Sequence, residues 1–555
     1  MTARQLPETR PAAPDVPRPA RRPWLAPLLV AALLAQMAVA MVTTAVRQTP
    51  TIDEPVYVGT AAVYLHEHSL RLNPEHPPLG KLVVAAGVVL ADPHYDAAFE
   101  GDQGDIGRHL LYESGNDPWR LMLFARLPVI VLTLLFGLVV FAFARELAGP
   151  VAALTALALY CFSPDLIAHG SLATLDVPAA GFLLTSAWLL WRARLRPRRY
   201  LPLAGVALGA ALATKMSALP AVPVLMALAA VSVGCAAPGL RRRVALGRAV
   251  AGAGMVLLAA VAVVWATYLM VDPRLRWAPE QAVPAAHGLR GLVVELLPFP
   301  EAYRDGMRIQ FAFENQRWQG FLFGRLYTGS LWYYLPAALL VKTPLGMLAL
   351  WVAGAAAVLA VRRWRPAAPY LLAPTAVLLA AAMQGSRDFG TRYAVFVPMF
   401  LAVAAGCVPA LGNGRVRVRA AVVTAIAVAF VAVSSLRTFP YYLPYSNEAF
   451  GGPAKTRLRL HDAAVDWGQD LGRLADRLRE RYRGERIWLV YKGSGVPSFY
   501  GIEAADPRTV PAREVRGLLV VSNTSAAKAT GRLAELIDSS RPIDTVGHSI
   551  TIYRR

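Results

Sequence analysis

Residues Trp24–Val46 read WLAPLLVAALLAQMAVAMVTTAV, and Thr51-Ile52-Asp53-Glu54-Pro55 follows shortly after. The first stretch carries no charge over the length a helix needs to cross a bilayer, about 20 residues. The second places two adjacent carboxylates directly behind it. A charge at a helix centre in lipid costs about 2.5–3.5 kcal/mol, so such acids mark a membrane surface and not its interior. Two readings compete: a solvated loop with incidental charge, or a polar site at the mouth of a helix bundle.

Apolar runs of the same kind recur along the 555 residues, which are 56% hydrophobic and only 17% charged. Only helices or closed barrels satisfy their backbone in lipid, and these runs are too long and too apolar for barrel strands. Further spans are expected near 119–143, 150–163, 176–191, 200–214, 217–234, 249–271, 333–361, 368–384, 393–411 and 418–435. The fold class expected is an α-helical polytopic membrane protein of about eleven transmembrane helices with a small extracytoplasmic α/β C-terminal domain.

Residues 1–23, rich in Pro, Arg and Ala, read as a disordered cytoplasmic N-terminus. Ala38-Val39-Ala40 mimics a signal-cleavage site, but the run around it is too long for a signal core and reads as an uncleaved first span. The membrane domain is expected over 24–436, with long outer loops at 47–118 and 272–332, and the α/β tail over 437–555. In the first loop Val56–Leu65 reads as a helix and Leu79–Leu90 as an interfacial or re-entrant one. In the tail Ala463–Glu480 reads as a helix, and Arg486–Tyr491, Gly517–Ser522 and Ile550–Tyr553 read as strands.

The net charge of +21 could suggest a nucleic-acid partner. The arginines instead sit in short loops between spans: Arg192 to Arg199, Arg241 to Arg248, Arg362 to Arg365 and Arg415 to Arg419. Each cluster falls in every second loop, on the side of the N-terminus. That is a topology signal and a contact with anionic lipid, and it makes these loops cytoplasmic. The long loops and the tail then lie outside a cell membrane. Cys161, Cys235 and Cys407 lie in or beside apolar segments and form no disulfide or metal spacing.

The chemistry-bearing residues gather on the outer side. Asp53 could act as a general base, with Glu54 orienting it. Asp176, ahead of Val177-Pro178, is a third outer acid, or simply a helix N-cap. Lys215 snorkels or holds a lipid phosphate as a point charge. Arg387 and Arg392 are cations on the side the topology rule disfavours, which suits an anionic headgroup. His66, His68, His76, His94 and His109 crowd the first loop without ligand spacing. No cofactor is assigned, and a divalent metal is left open. Aromatics including Trp332 and Tyr333 form an interfacial belt or stack on a sugar face.

Together these residues resemble the polyprenyl-phosphate-dependent, GT-C type glycosyltransferases. The likeness is to bacterial members of the protein O-mannosyltransferase superfamily, which also includes the lipid A aminoarabinose transferases. It rests on Asp53-Glu54, Glu75-His76-Pro77-Pro78-Leu79-Gly80-Lys81, Thr174-Leu175-Asp176-Val177-Pro178 and Leu212-Ala213-Thr214-Lys215. It continues through Gly329-Ser330-Leu331-Trp332-Tyr333-Tyr334, Val341-Lys342-Thr343-Pro344, Arg392-Tyr393, Asn447 to Pro453 and Asp466-Trp467-Gly468-Gln469-Asp470-Leu471. The resemblance implies an inverting transfer of a sugar from polyprenyl phosphate to a protein, lipid or glycan acceptor outside the membrane. Asp53 would be the base, Glu54 its neighbour and Asp176 a further acid lining the site. Lys215 and Arg392 would hold the donor phosphate, with Arg387 beside them, and Glu75, His76, Trp332 and Tyr333 would contact substrate. Asp462-Ala463-Ala464-Val465 departs from relatives that carry more polar residues there, which puts a binding role of that segment in doubt. A transporter or flippase of lipid-linked sugar, or a non-catalytic binder, is the rival class. Span centres nearly free of charge argue against a transporter or flippase, and the intact Asp53-Glu54 pair argues against a non-catalytic binder.

Overall fold

The computed structural model describes residues 24–236, 239, 241–279 and 282–555, so the reading of residues 1–23 lies outside the described residues. Helix α1 (Leu25–Arg47) leads into α2 (Glu54–His66), α3 (Pro78–Ala91) and α4 (Gln103–Tyr112). Then come α5 (Pro118–Ala148), α6 (Pro150–Cys161), α7 (Pro164–Gly170), α8 (Asp176–Ala193), α9 (Pro197–Thr214), α10 (Ala221–Ala236) and α11 (Arg242–Val271). The second long loop folds as α12 (Gly288–Leu296), α13 (Glu301–Asn315) and a hairpin of β1 (Gln319–Leu322) and β2 (Arg325–Thr328). Helices α14 (Tyr334–Lys342), α15 (Leu345–Ala360), α16 (Ala368–Ala382), α17 (Phe396–Ala405) and α18 (Gly414–Thr438) complete the helical part.

The protein is mostly helical, with several apolar helices. Among the described residues four helices are long and apolar enough to cross a membrane: α1, α5, α11 and α18. The number rises to six if the bent pairs α6–α7 and α14–α15 each make one span. This is fewer than the eleven expected from apolar runs. Helices α8, α9, α10, α16 and α17 form where spans are expected but have 18 residues or fewer. The single span expected over 333–361 is instead two helices meeting at 119°. Pro344 lacks an N–H and disfavours helical backbone at Thr343, which is extended at φ −101°, ψ 132°. Asn447 Nδ2 donates to Leu340 O and Thr343 O across the break, and buried Lys342 Nζ donates to Leu443 O and Ala464 O.

Small residues set a close helix contact. A Cβ on Gly205 would lie 2.5 Å from Val256 O and one on Gly209 2.6 Å from Ala260 O, so α9 and α11 touch backbone to backbone. Helices α8 and α9 run antiparallel. Their connecting turn, with Arg192 to Arg199, therefore lies at the opposite end from Asp176 and Lys215, about 25 Å away at 1.5 Å per residue. At that far end Arg192 pairs with Glu146 (3.2 Å), Trp364 Nε1 donates to Leu147 O (3.1 Å) and Arg363 donates to Ala410 O (2.6 Å).

The C-terminal residues add α19 (Leu471–Arg481), β3 (Ile487–Val490), β4 (Leu518–Ser522), α20 (Asn523–Ala527), α21 (Gly531–Asp538), β5 (Arg541–Val546) and β6 (Ile550–Arg554). The sheet order is β3-β4-β6-β5, with β3 and β4 parallel and the other pairs antiparallel. Leu518, Val520 and Ile552 pack on Leu471, Leu474 and Leu478 of α19. Leu519 and Val521 face Leu533 and Leu536 of α21. Strand β4 is thus buried on both faces and reads as a continuous apolar run. The edge strand β5, Arg541-Pro542-Ile543-Asp544-Thr545-Val546, has too little apolar alternation to be expected from sequence. The helix expected over 463–480 starts only at Leu471. Upstream, Gln469 Oε1 accepts from Trp467 N (2.8 Å) and Asp466 Oδ1 from Gly468 N (3.3 Å), with Gly468 at φ +90°. Side chains that bond neighbouring backbone in this way compete with helix.

Candidate active site

Asp53 and Glu54 point in different directions. Glu54 is fully buried and bidentate with Arg126 of α5, at 2.7 Å to both Nε and Nη2. It also accepts from Thr51 N (2.9 Å), Thr51 Oγ1 (3.0 Å) and Ala173 N (2.8 Å). Burial raises its pKa, but the Arg126 charge and these hydrogen bonds more than reverse that, leaving it below the ordinary 4.5. Arg126 in turn donates to Ala45 O (2.6 Å), Gln48 O (2.9 Å) and Thr49 O (3.2 Å). Glu54 and Arg126 therefore clamp the end of α1 to the start of α2. The structure places Glu54 in this clamp and not in an open acceptor site, because every direction of its carboxylate is filled. Arg126 was not singled out from the sequence, although its charge inside the apolar stretch 119–143 is the signal that could have found it.

With Glu54 fixed, Asp53 turns the other way. Its Oδ2 accepts from Arg392 Nη1 at 2.6 Å, and its side chain is 27% exposed. Arg392 lies 4.9 Å from the Tyr393 ring and 4.5 Å from that of Trp467, and its Nη2 donates to the Tyr393 hydroxyl (3.1 Å). Its Nε is buried and has no hydrogen-bond partner among the described residues. The loop carrying it depends on Gly390, at φ +109°, where a Cβ would lie 2.9 Å from Ala464 N. Lys215 stands 5.4 Å from the other participant in this contact, the Tyr393 ring, and donates to Asp176 Oδ1 at 2.5 Å. Asp176 is the first residue of α8 and Lys215 follows the last of α9, so each charge also suits its helix dipole.

The cluster thus brings together Asp53, Asp176, Lys215 and Arg392 from four chain segments. His76 lies beside it, its ring edge-on to Tyr57 at 5.8 Å. Burial, followed by the charges of Lys215, Lys81, Arg387 and Arg392, holds His76 well below the usual imidazole range. It is neutral beside a cluster rich in cations. Arg387 is engaged by Glu314 Oε1 (2.8 Å) and Gln310 Oε1 (2.7 Å). Glu75 accepts from Asn73 Nδ2 (2.8 Å) and Gln103 Nε2 (3.0 Å). Lys81 donates to Asn73 O and His76 O, both at 2.7 Å, stapling the turn before α3.

Trp332 and Tyr333 are not brought to the cluster. They are 65% and 41% exposed and pack edge-to-face on each other. Neither makes a hydrogen bond, ion pair or ring contact with Asp53, Asp176, Lys215 or Arg392 among the described residues. The aromatics that do surround the carboxylates are Tyr57, Tyr393 and Trp467, and Tyr57 carried no sequence signal. Among the described residues no three His, Cys, Asp or Glu side chains are grouped to hold a metal ion.

Two backbone hydrogen bonds join the Asp53 turn to the C-terminal part: Thr49 N to Gln469 O and Ile52 N to Trp467 O, both 3.0 Å. Ser494 Oγ donates to Thr51 O (2.9 Å). The segment Asp466-Trp467-Gly468-Gln469 thereby forms a wall of the cleft, even though its upstream residues are less polar than expected.

Residues 30–271 match the family profile of dolichyl-phosphate-mannose-protein mannosyltransferases. The matched stretch contains Asp53, Asp176 and Lys215, and it bears out the resemblance to GT-C type, polyprenyl-phosphate-dependent glycosyltransferases. No curated protein sequence matches the chain. Among solved structures, ArnT from Cupriavidus metallidurans bound to undecaprenyl phosphate is 16% identical, with a TM-score of 0.48, over 96% of this chain and 98% of that one. The Saccharomyces cerevisiae Pmt1–Pmt2 complex bound to the sugar donor is 19% identical, with a TM-score of 0.38, over 47% of this chain and only 35% of the yeast chain. AglB from Archaeoglobus fulgidus, an oligosaccharyltransferase in complex with an inhibitory peptide and a dolichol-phosphate, is 12% identical, with a TM-score of 0.43, over 83% of this chain and 59% of that one.

Proposed function

We propose that this cleft moves a sugar from a polyprenyl-phosphate donor to an extracytoplasmic acceptor by inverting displacement. The observation that carries the reading is the pairing of Asp53 with Arg392 and of Asp176 with Lys215 around one tyrosine, Tyr393, at the helix ends opposite the arginine-rich turns. Asp53 takes the proton of the acceptor oxygen as that oxygen bonds to the anomeric carbon. The bond from that carbon to the phosphate oxygen breaks, and its electron pair leaves on the phosphate. Lys215 and the unpartnered Nε of Arg392 meet the developing negative charge, where fixed cations in a water-poor site act most strongly. Asp176 keeps the Lys215 ammonium aimed at the cleft. The arginine-rich turns lie in the cytoplasm on this reading, and the cleft opens outside a cell membrane.

The test is Asp53→Asn with labelled polyprenyl-phosphate sugars supplied to membranes. The substitution keeps size and polarity but removes basicity, so transfer should fall by about 10²–10⁴ while donor binding persists. Near wild-type turnover would withdraw the base assignment.

A further inference from the structure

The loop Asp388–Arg392 has two sides. Arg392 faces Asp53 on one, while the Phe389 ring faces two lysines from the C-terminal part on the other. Lys492 Nζ lies 5.8 Å and Lys528 Nζ 5.0 Å from that ring centre. Lys492 is ion-paired with Asp462. Lys528 is half-buried, and its ammonium has no ion pair or hydrogen bond among the described residues. Asp462 thus lies between the two ammonium groups and also faces Arg392, while Asp466 faces Lys492 as well. Burial, then the charge of Lys492, brings the Lys528 amine down to about 8, with Asp462 only partly opposing. A desolvated, uncompensated cation beside a second one is costly unless an anion joins them.

We infer that Lys492 and Lys528 form an anion subsite that holds a phosphate or carboxylate group of the acceptor. The inference rests on the transferase reading above for the word acceptor, but not for the binding itself. Three features favour the acceptor over the donor. The lysines come from the strand-and-helix part of the chain and not from the ends of the membrane helices. The donor phosphate already has Lys215 and Arg392 across the loop. Asp462 links the subsite to Arg392, so an anion held here would keep its neighbouring hydroxyl on the Asp53 side. Two point-charge ammoniums suit a compact oxyanion and impose no bidentate geometry. Phe389 floors the site, its ring meeting both ammonium groups.

The full-length protein in lipid nanodiscs is labelled with an amine-acylating reagent, and modification of Lys528 is followed by peptide mass spectrometry. Inorganic phosphate, against chloride at equal ionic strength, should slow Lys528 labelling several-fold. The protection should vanish in Lys492→Met, return in Lys492→Arg and persist in Asp53→Asn. Polyprenyl phosphate alone should not protect. Absence of phosphate protection in the wild type would overturn the subsite. Protection by polyprenyl phosphate would overturn its assignment to the acceptor and give the lysines to the donor. Because Asp53→Asn is read for protection here and for turnover above, a failed base assignment and a failed subsite give different results.

Discussion

At the residue scale, two neighbouring carboxylates have been put to opposite uses. Glu54 is spent on a buried ion pair, and Asp53 is left at the cleft. Breaking a buried pair by removing one partner typically costs about 3–5 kcal/mol, because the other charge is left uncompensated. Arg126→Met should therefore lower the thermal unfolding midpoint of the purified protein strongly, whereas Asp53→Asn should barely move it. The Glu54 pKa lies below its ordinary 4.5 in the folded state. Its stabilisation is then fully present above about pH 4.5 and is lost as pH falls through the folded value. Unfolding followed between pH 3 and 6 should show an acid loss in the wild type that shrinks in Glu54→Gln, and equal slopes would contradict the clamp. Lys215→Met and Arg392→Met should each weaken polyprenyl-phosphate binding in a direct titration. Unchanged affinity in both would pass the role to Arg387. That Asp53, Asp176, Lys215 and Arg392 belong together was legible in the sequence because acids and stray cations beside apolar segments are conspicuous. Their division of labour was not. Adjacent residues at the start of a helix diverge in direction, and which one meets Arg126 is decided by a helix more than seventy positions away.

At the scale of elements, α14 and α15 show what an apolar count misses. Residues 333–361 are apolar enough for one span, yet Thr343-Pro344 turns the chain by 119°. Asn447 satisfies two backbone carbonyls at the break. Unsatisfied buried acceptors cost about 1–3 kcal/mol each, so Asn447→Leu should destabilise the protein by a few kcal/mol. An unchanged unfolding midpoint would mean that water replaces the amide. The boundaries of α2 and α3 were readable to within a few residues because Asp53-Glu54-Pro55 and Pro77-Pro78 mark helix starts, whereas α4 was not expected. The Asp466–Gln469 wall was mistaken for helix because its side-chain-to-backbone bonds depend on partners such as Thr524, whose proximity only the fold reveals.

At the scale of the whole molecule, the arginine-rich turns and the carboxylate cluster occupy opposite ends of the same helices. In intact cells an impermeant thiol reagent should modify Ser498→Cys, which is exposed near the cleft end, but not Arg196→Cys or Arg363→Cys. The native Cys235 is exposed at the end of α10 away from Lys215 and should be shielded as well. Modification of Arg363→Cys would place the cleft in the cytoplasm.

The backbone bonds from Thr49 and Ile52 to Gln469 and Trp467 also impose an order in time. Roughly 400 residues separate the two strands of this junction, which a ribosome adds in roughly 20–80 s at about 5–20 residues per second. Throughout that interval Asp53 is already made but its turn lacks these partners, and Arg392, once added, still waits for Trp467. A chain that stops short of Trp467 therefore leaves the Asp53 turn without these two backbone bonds. Synthesis must reach Trp467 and Gln469 before the turn at Asp53 acquires the backbone partners that hold it.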